Sequence, residues 1–194
     1  MAQKKLTKKT LMKSFHHWYY GNLTCFSQEH MQTFGYLTSM LPIVEELYDN
    51  KEDQARSMQT YTAFFNTEPQ LGSLIVGITA GLEEARANGS EEVDDETING
   101  LRAGLMGPVA GIGDSLVVGT LIPVILGIAL GLSTGGSPIG AVFYIVIWNL
   151  LASVSSRDTS VMTCIGTSFL KNTSKSRTAF TSTESLPVMV TEIC

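Results

Sequence analysis

At 194 residues the chain is long enough for one domain with a real core, and its 16% of charged residues falls below the roughly 25% of an average soluble domain. A formal net charge of −5, with no dense basic patch after the first dozen residues, argues against nucleic-acid binding. The three cysteines, Cys25, Cys164 and Cys194, are odd in number and far apart; they offer neither metal-ligand spacing nor a disulfide framework.

The N-terminus carries Lys4, Lys5, Lys8, Lys9 and Lys13. No apolar core of the kind a signal peptide needs follows them, and lysine-rich flanks stay on the cytoplasmic side; a cytoplasmic N-terminus is expected. His16 and His17 adjoin Trp18, Tyr19 and Tyr20. Adjacent side chains on a helix point in different directions, so the cluster reads as interfacial aromatics rather than a metal or acid–base site. From Ser27 to Tyr48 the apolar residues Met31, Phe34, Leu37, Leu41, Val44 and Tyr48 recur every three or four positions, opposite Gln28, Glu29, Gln32 and Glu45. The pattern predicts an amphipathic helix, kinked or divided at Pro42, suited to a membrane surface or a partner.

Phe64-Phe65-Asn66-Thr67-Glu68-Pro69 sets aromatic rings beside amide, hydroxyl and carboxylate groups. Such a mix holds sugars, and it equally makes an Asn/Thr helix cap before a proline. Leu71–Leu82 is an apolar run of buried-helix or re-entrant length, ending at Glu83–Glu84. The acidic stretch from Glu83 to Asn99 reads as a solvated loop and helix start.

The most informative feature is the absence of Asp, Glu, Lys, Arg and His from Ser115 to Ser156. Ser115–Leu132 approaches the length of a spanning helix, and Pro138–Ala152 is a second, shorter apolar run after the turn at 133–138. At least one full span is expected within Ser115–Ala152. Just before it, Gly107, Pro108, Gly111, Gly113 and Asp114 lie in a glycine-rich stretch that lacks the lysine and spacing of a phosphate loop. A helix broken inside the membrane fits better: freed backbone groups line a site or pathway there, and Asp114 sits at the mouth of the apolar segment. The pairs Gly77/Gly81, Gly107/Gly111 and Gly127/Gly131 have the spacing that lets membrane helices approach closely. From Ser153 the chain turns Ser/Thr-rich without an apolar period, the composition of a disordered segment.

Three blocks together resemble one family. They are Asn22-Leu-Thr-Cys-Phe-Ser-Gln-Glu-His-Met-Gln-Thr-Phe-Gly-Tyr-Leu-Thr-Ser-Met-Leu-Pro42; Phe64-Phe-Asn-Thr-Glu-Pro69, continuing to Gly77 and Glu83–Glu84; and Leu105-Met-Gly-Pro-Val-Ala-Gly-Ile-Gly-Asp114, followed by Ile122–Pro123. They are similar, in order and interval, to the signature blocks of IID subunits of mannose/fructose/sorbose-type phosphotransferase-system permeases, over roughly Lys9 to Ala152. The resemblance implies a bacterial cytoplasmic-membrane subunit that pairs with a IIC protein and moves a hexose such as mannose inward, while IIA/IIB phosphocarriers phosphorylate the sugar. It implies no phosphorylated residue in this subunit, in agreement with the lack of a catalytic set in the sequence, and contact with membrane lipid; no cofactor, metal or nucleic acid is expected. Asn66, Thr67 and Glu68 become the first candidates to touch the sugar, with Gln28, Glu29 and Gln32 next. Glu68 stands where the family usually has His or another residue. Past Trp148–Asn149 the chain departs from the family, apart from Gly166–Asn172, as a reading-frame disruption near Ser153 would explain.

The expected architecture is an all-α membrane protein: amphipathic N-terminal helices, re-entrant or broken helical hairpins and one or two transmembrane helices. Residues 1–152 form the membrane domain and 153–194 an aberrant tail. The rivals are a soluble helical interaction module and a non-functional permease fragment. An uncharged run as long as Ser115–Ser156 separates the permease subunit from the soluble module, since a soluble protein would have to bury it on all sides.

Overall fold

The computed structural model describes residues 4–24, 26–90 and 93–151; the expected tail at 153–194 lies outside them. Every regular element among the described residues is helical: α1 (Lys8–Gly21), α2 (Thr33–Leu47), α3 (Lys51–Thr60), α4 (Gly72–Ala87), α5 (Asp95–Gly113), α6 (Ile122–Leu132) and α7 (Ile139–Leu151), with a π-helical segment Asp114–Leu121 joining α5 to α6. The expected all-α class is the class found.

Local chemistry sets the helix starts. Thr7, Asn50 and Asp94 cap α1, α3 and α5, their side chains accepting from the backbone N–H of Thr10, Glu52 and Thr97. Acids fill the first turns of α3 and α5, where the helix dipole favours them.

Helix α2 begins at Thr33, six residues later than the periodicity predicts. Met31 takes a φ of 47°, a left-handed conformation that a helix cannot continue. Its N–H closes a turn on Ser27 O at 2.7 Å, and the next, Gln32 N, crosses to Phe65 O at 3.0 Å. Nor does Pro42 divide the helix, which runs on to Leu47. A proline withholds the N–H that would reach the carbonyl four residues back. Here that carbonyl belongs to Thr38, and the His17 ring donates to it from Nδ1 at 2.9 Å.

The expected apolar face of α2 is rotated. Tyr36, Met40, Ile43, Val44 and Leu47 are buried, whereas Phe34 and Leu41 point outward and Gln32 is buried. Apolar residues occur on both faces of this helix, so periodicity alone could not choose the one that packs.

Helices α1 to α4 and the first half of α5 form a bundle around the rings of Trp18, Tyr36, Tyr61 and Phe65. Two glycines allow its closest approaches. A Cβ on Gly35 would lie 2.6 Å from Asn22 Cα, and one on Gly72 would lie 2.2 Å from the Trp18 ring, whose Nε1 donates to Pro69 O at 2.9 Å. Helix α4 presents no fully exposed residue from Leu71 to Ala87, and the Leu71–Leu82 run is a buried core helix.

The acidic boundary at its end is not solvated as expected. Glu83 is fully buried. Its carboxylate accepts from Tyr48 Oη at 2.7 Å, Ser57 Oγ at 2.8 Å, Tyr61 Oη and the Arg86 guanidinium. Arg86 also pairs with Asp95, which accepts from Thr60 Oγ1 at 2.8 Å. Burial, reinforced by the Glu83 charge, pushes the Tyr61 hydroxyl well above its ordinary range. Burial and the hydrogen bond to Glu83 push Tyr48 up to about 12.

The bundle has two unlike ends. At one, the N-terminus meets the ends of α2 and α4: Lys4 reaches Leu47 O and Asp49, and its backbone N–H donates to Asn88 Oδ1 at 2.8 Å. Helix α5 starts beside them at Asp95. At the other end lie the turns at 22–32 and 61–71 and the α5 stretch from Met106 to Gly113. Past that end α5 leaves the bundle.

Asp95–Leu132 is one continuous helix of 38 residues whose most apolar window has a mean hydropathy of 2.4 and is 11% buried. At 1.5 Å per residue it is about 57 Å long, beyond the roughly 30 Å of a bilayer core. It is the one helix among the described residues long and apolar enough to span, and it starts well before Ser115. It is not interrupted at Gly107–Asp114: the chain stays helical through Pro108 and widens into the π segment at Asp114. Gly135 and Gly136, at φ of 83° and 80°, turn the chain back into α7, whose described residues are fewer than a span needs.

Glu83→Gln should destabilise the bundle by about 3–5 kcal/mol, the cost of breaking a buried ion pair. The measurement is a drop in the melting midpoint in detergent, with exposed Glu45→Gln unchanged; an unaltered midpoint for Glu83→Gln would refute the assignment. The tyrosines can donate only while protonated. Raised native pKa values make their contribution complete below the unfolded tyrosine pKa of about 10. The Tyr48 part of it should fall as pH rises beyond that value and be lost above about 12, where Tyr48 titrates. Melting curves taken between pH 8 and 12 test this, and a fall complete by pH 9 would contradict it.

Candidate functional site

The end of the bundle from which the long helix emerges is built by two loops sewn together. The turn at 27–31 runs beside the loop at 64–68, joined by a Met31–Phe65 bridge. Gln32 Oε1 accepts from Thr67 N at 3.0 Å, and Thr33 Oγ1 accepts from Phe65 N at 3.0 Å. Gln32 is thus a brace inside the protein, whereas Gln28 and Glu29 stand exposed on the turn it anchors.

The 61–68 loop is held from below by Arg102 of α5. Its guanidinium lies 5.2 Å from the Tyr36 ring centre and 6.0 Å from that of Phe65. It donates to the carbonyls of Tyr61 and Ala63, each at 3.4 Å. Thr67 is also structural: it is buried, and its hydroxyl donates to Met106 O at 3.3 Å. Asn66 is different. Its backbone N–H reaches the Met106 sulfur at 3.3 Å, and the residue is exposed, beside Phe64, whose ring is half exposed.

Glu68 is 2% exposed. Oε2 accepts from Leu71 N at 2.8 Å, while Oε1 is buried with no hydrogen-bond donor among the described residues. A buried carboxylate oxygen without a donor is costly and calls for an explanation. Burial pushes the Glu68 carboxyl above the ordinary carboxylate range; the backbone N–H groups of Leu71 and Gln70 oppose this, and the nearby Asp114 charge adds to it. The close fit depends on Gly113, where a Cβ would fall 2.5 Å from Glu68 Cβ.

The sequence-derived set therefore divides. Asn66, Thr67 and Glu68 share one loop, which meets Gly113 directly, has Asp114 nearby and is braced by Gln32 to the turn bearing Gln28 and Glu29. Gly107, Pro108 and Gly111 stand apart on an exposed stretch of α5, and a Cβ on either glycine would meet nothing within 4 Å. Of the other small-residue pairs, Gly77 and Gly81 are consumed inside the bundle, while Gly127 and Gly131 are open. No group of three or more potential metal ligands occurs among the described residues.

Sequence reasoning missed Arg102. The signal was available: it is the only basic residue between Arg86 and Arg157, and a lone cation in an apolar helix is expensive enough to need a role.

Comparison with known proteins follows the same outline. The family model for the PTS system mannose/fructose/sorbose family IID component matches residues 5–191. The sorbose-specific EIID component of Klebsiella pneumoniae is 38% identical over 151 residues, covering 77% of this chain and 54% of its own length. The mannose-specific EIID component of Escherichia coli K12 is 41% identical over 124 residues, 63% of this chain and 44% of its own. A cryo-EM structure of the mannose transporter ManYZ with microcin E492 superposes with a TM-score of 0.81 at 34% identity, covering 87% of this chain and 61% of that one. The chain spans about half the length of the curated relatives it matches. A match across nearly the whole chain, with one spanning helix among the described residues, all of whose regular elements are helical, establishes that it belongs to the mannose/fructose/sorbose family of phosphotransferase-system IID components, the membrane permease subunits of that system.

Proposed function

We propose that this chain, paired with a IIC subunit in the bacterial cytoplasmic membrane, carries a hexose such as mannose inward, and that IIA/IIB phosphocarriers phosphorylate the sugar. Residues 1–152 hold that role, the subunit is not itself catalytic, and the lysine-rich N-terminus lies in the cytoplasm. The observation that carries the sugar assignment is the unpartnered Glu68 Oε1, buried beside exposed Asn66. A sugar hydroxyl would satisfy that oxygen once the loop opens to admit it, and the exposed Asn66 amide can both donate and accept. Phe64 offers a ring for the apolar face of a pyranose. The exposed glycines of α5, Gly107 and Gly111, favour close approach of a helix from the IIC partner.

The test is radiolabelled hexose uptake by cells that express this chain with IIC and the phosphocarriers. Asn66→Ala should lower uptake roughly five- to tenfold, the loss of one hydrogen bond of about 1–1.5 kcal/mol, with the amount of assembled complex unchanged. Undiminished uptake would move the site to Gln28 and Glu29.

Gly113→Ala should raise the KM for the sugar. Overpacking of about 1–3 kcal/mol would push Glu68 aside rather than touch the ligand. A KM equal to that of the wild type, with the complex intact, would mean that Glu68 is not held in place by this contact.

A further inference from the structure

We propose that the outer face of α1 is a binding surface for the anionic headgroup layer of the membrane, with Lys5, Lys8, Lys9 and Lys13 as its cationic part. The surface is independent of the sugar site and rests only on the chain being a membrane protein.

Three observations carry it. First, α1 is sharply two-faced. Leu11, Phe15 and Trp18 are buried, while Lys9, Lys13, His16 and Tyr20, spaced four, three and four residues apart, are exposed along one line. Lys5 and Lys8 are exposed beside it. Lys4 pairs with Asp49, but no ion pair among the described residues involves Lys5, Lys8, Lys9 or Lys13, although the chain carries a net charge of −5. Four cations left unpaired by an acidic protein complement an outside anionic surface.

Second, the face is graded along its length. Lysines occupy its beginning. Next come His16 and Tyr20, whose rings stack with centres 6.4 Å apart. Beyond the end of α1 at Gly21 come Leu23 at 59% and Phe26 at 50% exposure, with Phe34 outward on α2. From Lys13 to Tyr20 is about 10 Å along the helix, the step from headgroup charge to the aromatic belt and acyl chains below it.

Third, the gradient runs the same way as the span. The lysine end of α1 lies at the end of the bundle where α5 begins at Asp95. The aromatic end lies where α5 leaves it, since Trp18 packs on Gly72 and the neighbouring Thr67 bonds to Met106 O. The residues that prefer acyl chains are thus displaced towards the apolar half of the 38-residue helix, and the lysines away from it.

The probe is phosphatidylglycerol, titrated onto the full chain in a neutral detergent, with the melting midpoint as readout and phosphatidylcholine as the uncharged comparison. Phosphatidylglycerol should raise the midpoint, and 0.5 M NaCl should cancel the effect by screening. The combined substitution Lys8→Gln, Lys9→Gln and Lys13→Gln should weaken apparent phosphatidylglycerol affinity about a hundredfold, or about fivefold per lysine at roughly 1 kcal/mol each. The matching Lys→Arg set should restore it, and Lys51→Gln on α3 should not change it. Should the Gln set fail to fold, loss of affinity in Lys9→Gln alone serves in its place.

An equal rise with both lipids, an affinity unmoved by the substitutions, or a rise produced by inorganic phosphate alone would each overturn the proposal. So would unchanged lipid affinity combined with loss of binding to an acidic phosphocarrier protein, which would make the face a protein contact.

Discussion

The bundle is organised around one buried charge. Glu83 sits deep in α4 with no access to water, and an ion placed there alone would be prohibitively costly. The surrounding elements exist in the arrangement that cancels this cost. The end of α2 brings Tyr48, α3 and the residue after it bring Ser57 and Tyr61, the next turn of α4 brings Arg86, and α5 brings Asp95 to bind Arg86 in turn. Four helices are thereby fixed relative to one another at the end of the bundle remote from the apolar half of the long helix. Arg102, one helical stretch further along α5, repeats the device with rings and carbonyls in place of a carboxylate. Between them the two cations hold α5 along the length over which it remains inside the bundle.

That rigidity matters for the loops. Asn66 and Glu68 sit on a segment with no regular structure, and their positions are fixed only through neighbours: Gln32 and Thr33 on one side, Arg102 beneath, Met106 and Gly113 behind. A loop defined in this way can hold a buried carboxylate oxygen unsatisfied, because the contacts around it leave the side chain no cheaper place to go. The glycine at 113 has the same logic. It was legible in the sequence as one member of a glycine-rich stretch, but its neighbours Gly107 and Gly111 face open space, and only the packing distinguishes them.

Much of the architecture could be read from residue pattern. The uncharged run from Ser115 declared a membrane protein, and a long helix almost unburied along its apolar window excludes the soluble module. Helix class and the blocks shared with the family were readable in the same way. What escaped were features set by tertiary contact. Pattern could not show that Met31 would turn left-handed and delay α2, because the turn depends on a strand-like bridge to Phe65. It could not assign the core face of a helix apolar on both sides, so Phe34 and Leu41 were placed inward. Nor could it distinguish a solvated acid from a buried one at Glu83, since the hydroxyls that receive it come from residues 22 to 35 positions away. Gln32 illustrates the same limit at the site: its amide was a plausible ligand by type and is a brace by position.

The π segment between Asp114 and Leu121 works as a phase shifter. Because its hydrogen bonds reach one residue further than those of an α-helix, each residue there advances the chain less around the axis. The side of α6 that receives α7, where Gly140 nests against the Ala129 carbonyl, is therefore set at an azimuth independent of the side of α5 that binds the bundle. Deleting one residue within this segment would let it relax to α-helical geometry, displace the buried Val117 and draw the α6–α7 hairpin into the α-helical phase set by α5. The length of the segment is thus a dimension of the protein in its own right, and neighbours on the two sides of it can be matched to their partners separately.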